Sequence, residues 1–292
     1  VRARKSVGER IGDGIIYAVM WVVVAVTLYP FLYVVSMSIS DPVYVIQKTI
    51  WLLPKGFSLK AYEKVFENPD VWTAYLNTIF YTVAGTAINV VMTMLGAYPL
   101  SRKSFFARKQ VMIFIVITMF FSGGLIPMFL LVQNLGLYNT RWAILLPGAV
   151  SAFLIIVTRT FFQSIPEHLH ESAKLDGAGE FSILWRIVAP LSMPIIAVLT
   201  LFYAVGQWNS FFPALLYLPD VRLQPLSLYL IKVLIQNSTT MMEDMANQSD
   251  RSMYVVQLKY SLIIVAILPI LAVYPFLQKY FVKGVMIGSL KE

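Results

Sequence analysis

The sequence predicts an all-α polytopic membrane protein of six transmembrane helices, and three observations carry that expectation. Hydrophobic residues (AVILMFWYC) make up 58% of the 292 residues and charged residues only 13%, about half the charged share of soluble domains. Six runs lack Asp, Glu, Lys and Arg, at 14–40, 71–101, 110–140, 142–158, 187–219 and 260–278, each close to or above the roughly 20 apolar residues that cross a hydrocarbon layer. Basic residues gather on alternate connections between these runs, as the positive-inside bias requires. Too little polar surface remains to solvate a globule. The 19 Phe, 16 Tyr and 6 Trp exclude a disordered chain.

Taken in order, the spans are expected at 15–38, 73–97, 111–132, 142–161, 191–216 and 258–280. The first follows Arg2, Arg4, Lys5 and Arg10. It is longer than a signal-peptide core and no small-residue cleavage site follows it, so it is expected to remain as a helix. Pro30, Pro127, Pro147 and Pro269 fall inside the runs, where neighbouring helices can satisfy the freed carbonyls. Between the first two spans, residues 40–72 form an external loop with Pro42, Pro54 and Pro69, and 58–66 is expected to be a short interfacial helix. The second external segment, 217–257, carries a helical pattern at 226–234 before the polar stretch 237–250. Loops of this length are uncommon without a use; each reads either as plain surface or as a docking site for an extracytoplasmic partner.

Orientation follows from the basic residues. With the N-terminus inside, the cytoplasmic side receives four at the N-terminus, then Arg102, Lys103, Arg108 and Lys109. Arg159, Lys174 and Arg186 follow, and finally Lys279, Lys283 and Lys291. Both termini are therefore expected in the cytoplasm, with an inner N-terminal segment 1–14, a membrane domain 15–282 and a tail 283–292. The net charge of +8 is accounted for by topology and attraction to lipid headgroups. Nucleic-acid binding would need the bases on one exposed face, which their distribution does not provide.

The inner turn 162–190 departs from this pattern, because it also carries Glu167, Glu171, Asp176 and Glu180. Ser164 and Glu167 have capping-box spacing, and Pro166 suits a first helical turn. A helix from there is expected to place Leu169 and Ala173 on one face, with His168, Glu171 and Lys174 elsewhere. Gly177 would end it, through a left-handed conformation or a close approach. A second helix from about Gly179 is expected to stop near Pro190.

Chemistry by the chain itself is not expected. It has no cysteine and two histidines, His168 and His170, whose i,i+2 spacing does not share a helical face; both are expected on the polar surface of the turn. There is no GxxxxGK[ST] phosphate loop, no HExxH and no GxSxG. Catalytic and metal-ligating residues are thus expected to be absent.

Glu171-Ser172-Ala173, Asp176-Gly177-Ala178, Ile187, Pro190 and Pro194 fall at the spacing EAAxxDGAxxxxxxxxIxxPxxxP. This resembles the cytoplasmic loop signature of membrane subunits of bacterial ABC importers. The tail Tyr280–Glu292 is similar to the carbohydrate-uptake branch, and the stretches 122–140 and 202–218 resemble permeases for complex oligosaccharides and polysaccharides. The chain departs at Ser172, where alanine is commoner, and at Leu184, where phenylalanine is frequent. The resemblance implies that the 162–190 turn is a coupling helix docking in a groove of a cytoplasmic ATPase. Glu171 would make the polar contact, Ala173 and Leu175 would lie close to the groove and Gly177 would set the sharp turn, with Ser172, Asp176 and Ala178 belonging to the same coupling segment. It also implies the partners: a homologous second permease, two ABC ATPases that bind ATP and Mg, and an extracytoplasmic binding protein delivering a carbohydrate to the inner membrane.

Polar and aromatic groups at membrane depth supply the candidate solute path. Tyr203 and Gln207 lie i,i+4 on the fifth span with Trp208 and Asn209 just beyond, flat surfaces and amides suited to sugar rings and hydroxyls. The second span offers Asn77, Tyr81 and Asn89. Hydrogen bonding between helices, or an interfacial aromatic belt, would also account for any of these, since polar groups in a span face the bundle interior. Two other readings stay open: an importer of the same architecture for a different solute, and a membrane scaffold without transport.

Overall fold

A computed structural model describes residues 7–235 and 256–272, and every helix and side chain below belongs to these. The described residues form two compact units, one of 7–69 with 232–235 and 256–268, the other of 70–231 with 269–272.

In the first unit, α1 (Val7–Ile39) is a 33-residue helix whose apolar side chains from Ile11 to Leu32 stand exposed, as suits a helix solvated by lipid. Pro30 lies within it. Two short helices follow, α2 (Pro42–Ile46) and α3 (Lys60–Glu67). Asp41 caps α2 by accepting from the Val43 amide at 2.9 Å, with Pro42 at the first position. The end of α1 leaves orphan carbonyls, and the buried Gln257 amide donates to those of Ser38 (3.1 Å) and Ser40 (2.6 Å). Gln257 opens the helix Val256–Ala272. The short helix expected at 58–66 is present as α3.

The second unit is built on α4 (Pro69–Ser101), about 50 Å long at 1.5 Å per residue. One face is buried from Val71 through Asn77, Tyr81, Asn89, Thr93 and Ala97 to Tyr98, the i,i+3/i+4 stripe that directs polar groups inward. One apolar core joins its lower turns (Met94, Ala97, Leu100) to Leu154, Phe162, Ala173, Ile183, Val188 and Leu199. A smaller core gathers Tyr81, Ile144, Leu145, Ala214, Leu218 and Leu228.

The expected third, fourth and fifth spans are not straight helices. Residues 111–132 divide into α5 (Arg108–Phe120) and α6 (Leu125–Asn134), bent by 114°. The cause is Gly123-Gly124: Gly124 has φ +86°, which residues with a side chain rarely adopt. Residues 142–161 divide into α7 (Trp142–Leu145) and α8 (Ala152–Gln163). Pro147, with no N–H and a following glycine, breaks the ladder instead of being absorbed by it, and Ser151 caps the restart by accepting from the Leu154 amide. Helix α9 (His168–Leu175) and α10 (Glu180–Leu191) form the 162–190 turn. Then α10 meets α11 (Met193–Asn209) at 85°. Within α10 the backbone widens to a π-helix over Leu184–Val188; Pro190 cannot donate to the Arg186 carbonyl, and the wider turn accommodates its ring. Finally α12 (Phe212–Tyr217), a 3₁₀ turn at Val221–Leu223 and α13 (Leu226–Ile235) follow. Among the described residues two helices are long and apolar enough to span a membrane, or up to four if each bent pair is one span. The last eight residues of the expected sixth span and the tail 283–292 lie outside the described residues, as do residues 1–6.

Candidate functional site

The 162–190 turn is organised by Tyr98 on the last turn of α4. Its ring stacks on His170 at 6.2 Å and 25°, while its hydroxyl donates to Glu180 Oε2 at 2.7 Å. Arg102 lies over the same ring, its Cζ 5.0 Å from the Tyr98 centroid. Glu180 Oε1 in turn meets Lys174 Nζ at 2.6 Å. One aromatic side chain therefore touches both helices of the turn.

The end of α9 is a Schellman motif. The Ala178 amide donates to Ala173 O at 2.9 Å and the Gly177 amide to Lys174 O at 3.0 Å, with Gly177 at φ +80°. Of the two roles considered for Gly177, the left-handed conformation is the one found, because a Cβ there would meet nothing within 4 Å.

Two expectations about this turn are corrected. Ser164 and Glu167 do not form a capping box: Ser164 closes α8, its hydroxyl donating to Phe161 O at 2.7 Å. Glu167 instead receives Lys103 Nζ at 3.1 Å. The short connection leaves Ser164 too tightly bound to the preceding helix to cap the next. His170 is not on the polar surface. It is 4% exposed, and neither ring nitrogen has a hydrogen-bond partner among the described residues. Burial pushes its pKa down, and the nearby Arg102 charge acts in the same direction. His170 and Ala173, at i and i+3, form the inward stripe, with Leu169 half-buried. In a helix of eight residues a single turn of periodicity does not stand out, so neither the burial of His170 nor the role of Tyr98 carries a clear signal in the sequence.

Outward from that stripe stand Glu171, Ser172, Leu175 and Asp176, with Ala178 half-buried. Leu175 is 89% exposed. Ala173, grouped by resemblance with the groove-facing residues, packs within the chain's own core.

The candidate path residues separate into ties and open groups. Tyr203 is buried; its hydroxyl lies 2.6 Å from Thr93 Oγ1 and accepts from the Ser151 amide at 3.2 Å. Asn77 donates to the Arg222 and Gln224 carbonyls at 2.7 and 3.2 Å, and Tyr81 donates to Leu223 O at 2.8 Å. Together they fix the 222–224 segment against α4. Asn89, its amide nitrogen facing the two carbonyls, donates to Gly85 O (2.9 Å) and Ala149 O (3.2 Å), securing the break at Pro147. Gln207 and Trp208 are half-buried and Asn209 is exposed. Trp208 meets Tyr75 edge-on at 6.0 Å, and Asn209 donates back to Val205 O at 2.9 Å. A Cβ on Gly85 would lie 2.8 Å from Gln207 Nε2, so that glycine makes room for the amide. Among the described residues no group of three His, Cys, Asp or Glu could hold a metal ion.

An apolar, all-helical chain with polar ties inside its spans and a capped helical turn outside them is a multi-pass membrane protein of the transporter type. Residues 2–287 match the model for the binding-protein-dependent transport system inner membrane component, and the chain belongs to that family. It is an ABC-transporter permease subunit, without nucleotide-hydrolysis motifs of its own. Protein LplC of Bacillus subtilis is 43% identical over 271 residues, covering 91% of this chain and 90% of the relative. The polygalacturonan/rhamnogalacturonan transport system permease protein YtcP of Bacillus subtilis is 41% identical, covering 97% of this chain and 99% of the relative. A crystal structure of a bacterial ABC transporter involved in the import of the acidic polysaccharide alginate contains a chain matching with TM-score 0.88 and 34% identity. That match covers 95% of this chain and 99% of the other.

Proposed function

We propose that this chain is one of two membrane subunits of an ATP-driven importer for an acidic polysaccharide or its oligosaccharides. Its neighbours would be a homologous permease, an ATPase pair holding ATP and Mg, and an extracytoplasmic binding protein. The observation that carries the coupling role is Leu175, an apolar side chain 89% exposed on a rigidly capped helix outside the spans. An exposed leucine beside Glu171, on a helix anchored from behind by His170 and Ala173, suits insertion into a groove of another protein. The acidic cargo is supported by similarity to systems described for polygalacturonan/rhamnogalacturonan and for alginate.

In this reading the chain crosses the membrane six times with both termini inside, each bent pair counting as one span and α7–α8 as another. Tyr203, Asn77, Tyr81 and Asn89 hold helices in register, while Gln207, Trp208 and Asn209 line the solute path. The cavity must bind cargo differently in its two states, since equal affinity would not be switched by the ligand. The test is uptake by proteoliposomes holding both permeases and the ATPase pair, supplied with binding protein loaded with oligogalacturonates or neutral oligosaccharides. Uptake of the acidic series alone supports the cargo. Uptake of only the neutral series sinks it, and ATP turnover that ignores Leu175→Asp sinks the coupling role.

A further inference from the structure

At the inner end of α4 lies a cavity of about 370 Å³, walled by Leu95, Pro99, Phe105, Phe181 and Leu184, with Tyr98, Arg102, Ser104 and Glu180 as its polar lining. Its hydrogen-bonding groups are not all satisfied. Glu180 is already engaged on both oxygens, by Lys174 at 2.6 Å and Tyr98 at 2.7 Å. Glu167 faces Lys103 at 3.1 Å. Arg102 has no such pairing, and its Nε and Nη2 are buried without a hydrogen-bond partner among the described residues. A guanidinium held this way lacks the acceptors that its burial calls for. Burial pulls its pKa below the ordinary guanidinium value, against the opposing influence of Tyr98, Glu180 and Glu167, and a further anionic oxygen would oppose that shift as well.

The surroundings indicate what carries that oxygen. Leu95 and Pro99 belong to the last turns of a 33-residue apolar helix, so the cavity opens where a span meets the headgroup layer. The adjoining connection holds Lys103, Arg108 and Lys109 around Phe106, which is 91% exposed. An exposed aromatic among bases suits the membrane interface and anionic lipid.

We propose that this cavity binds an anionic phospholipid, its phosphate on Arg102 and Ser104 and its acyl chain along Leu95, Pro99, Phe181 and Leu184. The juxtaposition of a guanidinium with two unpartnered buried nitrogens, apolar walls and a span end is what defines the site. Because Tyr98 and Glu180 line the cavity and also touch α9 and α10, the lipid would stiffen the turn from below. The proposal rests on membrane placement and not on the cargo, so its test involves no uptake.

The complete permease–ATPase complex, stripped of lipid and returned to neutral nanodiscs, is labelled with a photoactivatable phosphatidylglycerol or phosphatidylcholine carrying the reactive group on an acyl chain. The phosphatidylglycerol probe should label peptides containing residues 95–106 and 181–184. Unlabelled phosphatidylglycerol should compete better than phosphatidylcholine, and Arg102→Gln should weaken labelling about fivefold, as expected for one cation at an anionic surface. Ser104→Asp, at an exposed position, is the second variant should Arg102→Gln disturb assembly, and it should lower labelling by placing a negative charge beside the phosphate. Equal labelling by both probes, or labelling that neither variant changes, overturns the site. Displacement by inorganic phosphate as efficient as by phosphatidylglycerol would show a free-anion site and overturn the lipid.

Discussion

Lys174 Nζ lies 2.6 Å from Glu180 Oε1 across the turn made by Gly177. Both side chains are about half exposed, so the pair itself contributes little in water. Its importance is geometric: it closes a loop whose backbone is already fixed by the two Schellman hydrogen bonds.

Gly177→Leu should therefore lower coupled uptake more than it lowers assembly. No atom obstructs a side chain there; the penalty is the positive φ, about 1–3 kcal/mol for a residue with a Cβ. Since conformation and not space is limiting, Gly177→Ala should be nearly as harmful as leucine, and Gly177→Asn milder because asparagine tolerates this region. Binding-protein-stimulated ATPase and uptake, measured on the same proteoliposomes, check it. Normal values for Gly177→Leu would mean that α9 tolerates a shifted end.

Gly177 also illustrates how legible the turn was. A glycine after an amphipathic helix is a local signal, and the structure places it in the conformation that signal implies. Likewise the charge-free runs located the apolar helices, because lipid solvation is written in composition. The breaks were less visible. Pro147 and Gly123-Gly124 stand in the sequence, but whether a membrane helix absorbs a proline depends on neighbours that cannot be read from one segment. His170 and Tyr98 were missed for a related reason: their roles arise from contact between residues 72 positions apart. The capping box failed because Ser164 was already committed to α8.

Tyr203→Phe should destabilise the second unit without introducing a bulky change. The hydroxyl serves both Thr93 and the Ser151 amide, and polar ties within membrane bundles average about 0.6 kcal/mol with values up to about 2 kcal/mol. A lower unfolding temperature in detergent is expected. Adding Thr93→Val should cost less than the sum of the two single changes, because the pair is one interaction. Full additivity would show that the two hydroxyls act independently.

Gly85→Ala probes the solute path at a distance from any sugar. Its new methyl would lie 2.8 Å from Gln207 Nε2, and the amide, at the end of a flexible side chain, should swing away instead of forcing the helices apart. The unfolding temperature should change little, while the cargo concentration for half-maximal uptake rises severalfold. Unchanged uptake in both Gly85→Ala and Gln207→Ala would remove Gln207 from the path.

The buried imidazole supplies a pH dependence with a definite sign. His170 titrates lower in the folded chain than its unfolded value of about 6.5, mainly because burial disfavours the charged ring. Arg102 reinforces this, whereas Glu180, Glu167 and the Pro166 carbonyl work against it. Above about 6.5 the ring is neutral in both states and folding bears no proton-linked penalty. As pH falls through that value the unfolded chain takes up a proton that the folded chain resists, so stability declines until the folded ring also titrates. Glu180, whose carboxyl is held low first by the Lys174 hydrogen bond and then by that of Tyr98, contributes in a separate window, below the usual carboxylate range. Detergent-solubilised protein should therefore lose thermal stability between pH 7.5 and 5.5. His170→Phe, which keeps a ring beside Tyr98 and removes the proton site, should flatten that decline. An equally steep decline in His170→Phe would place the titrating group elsewhere.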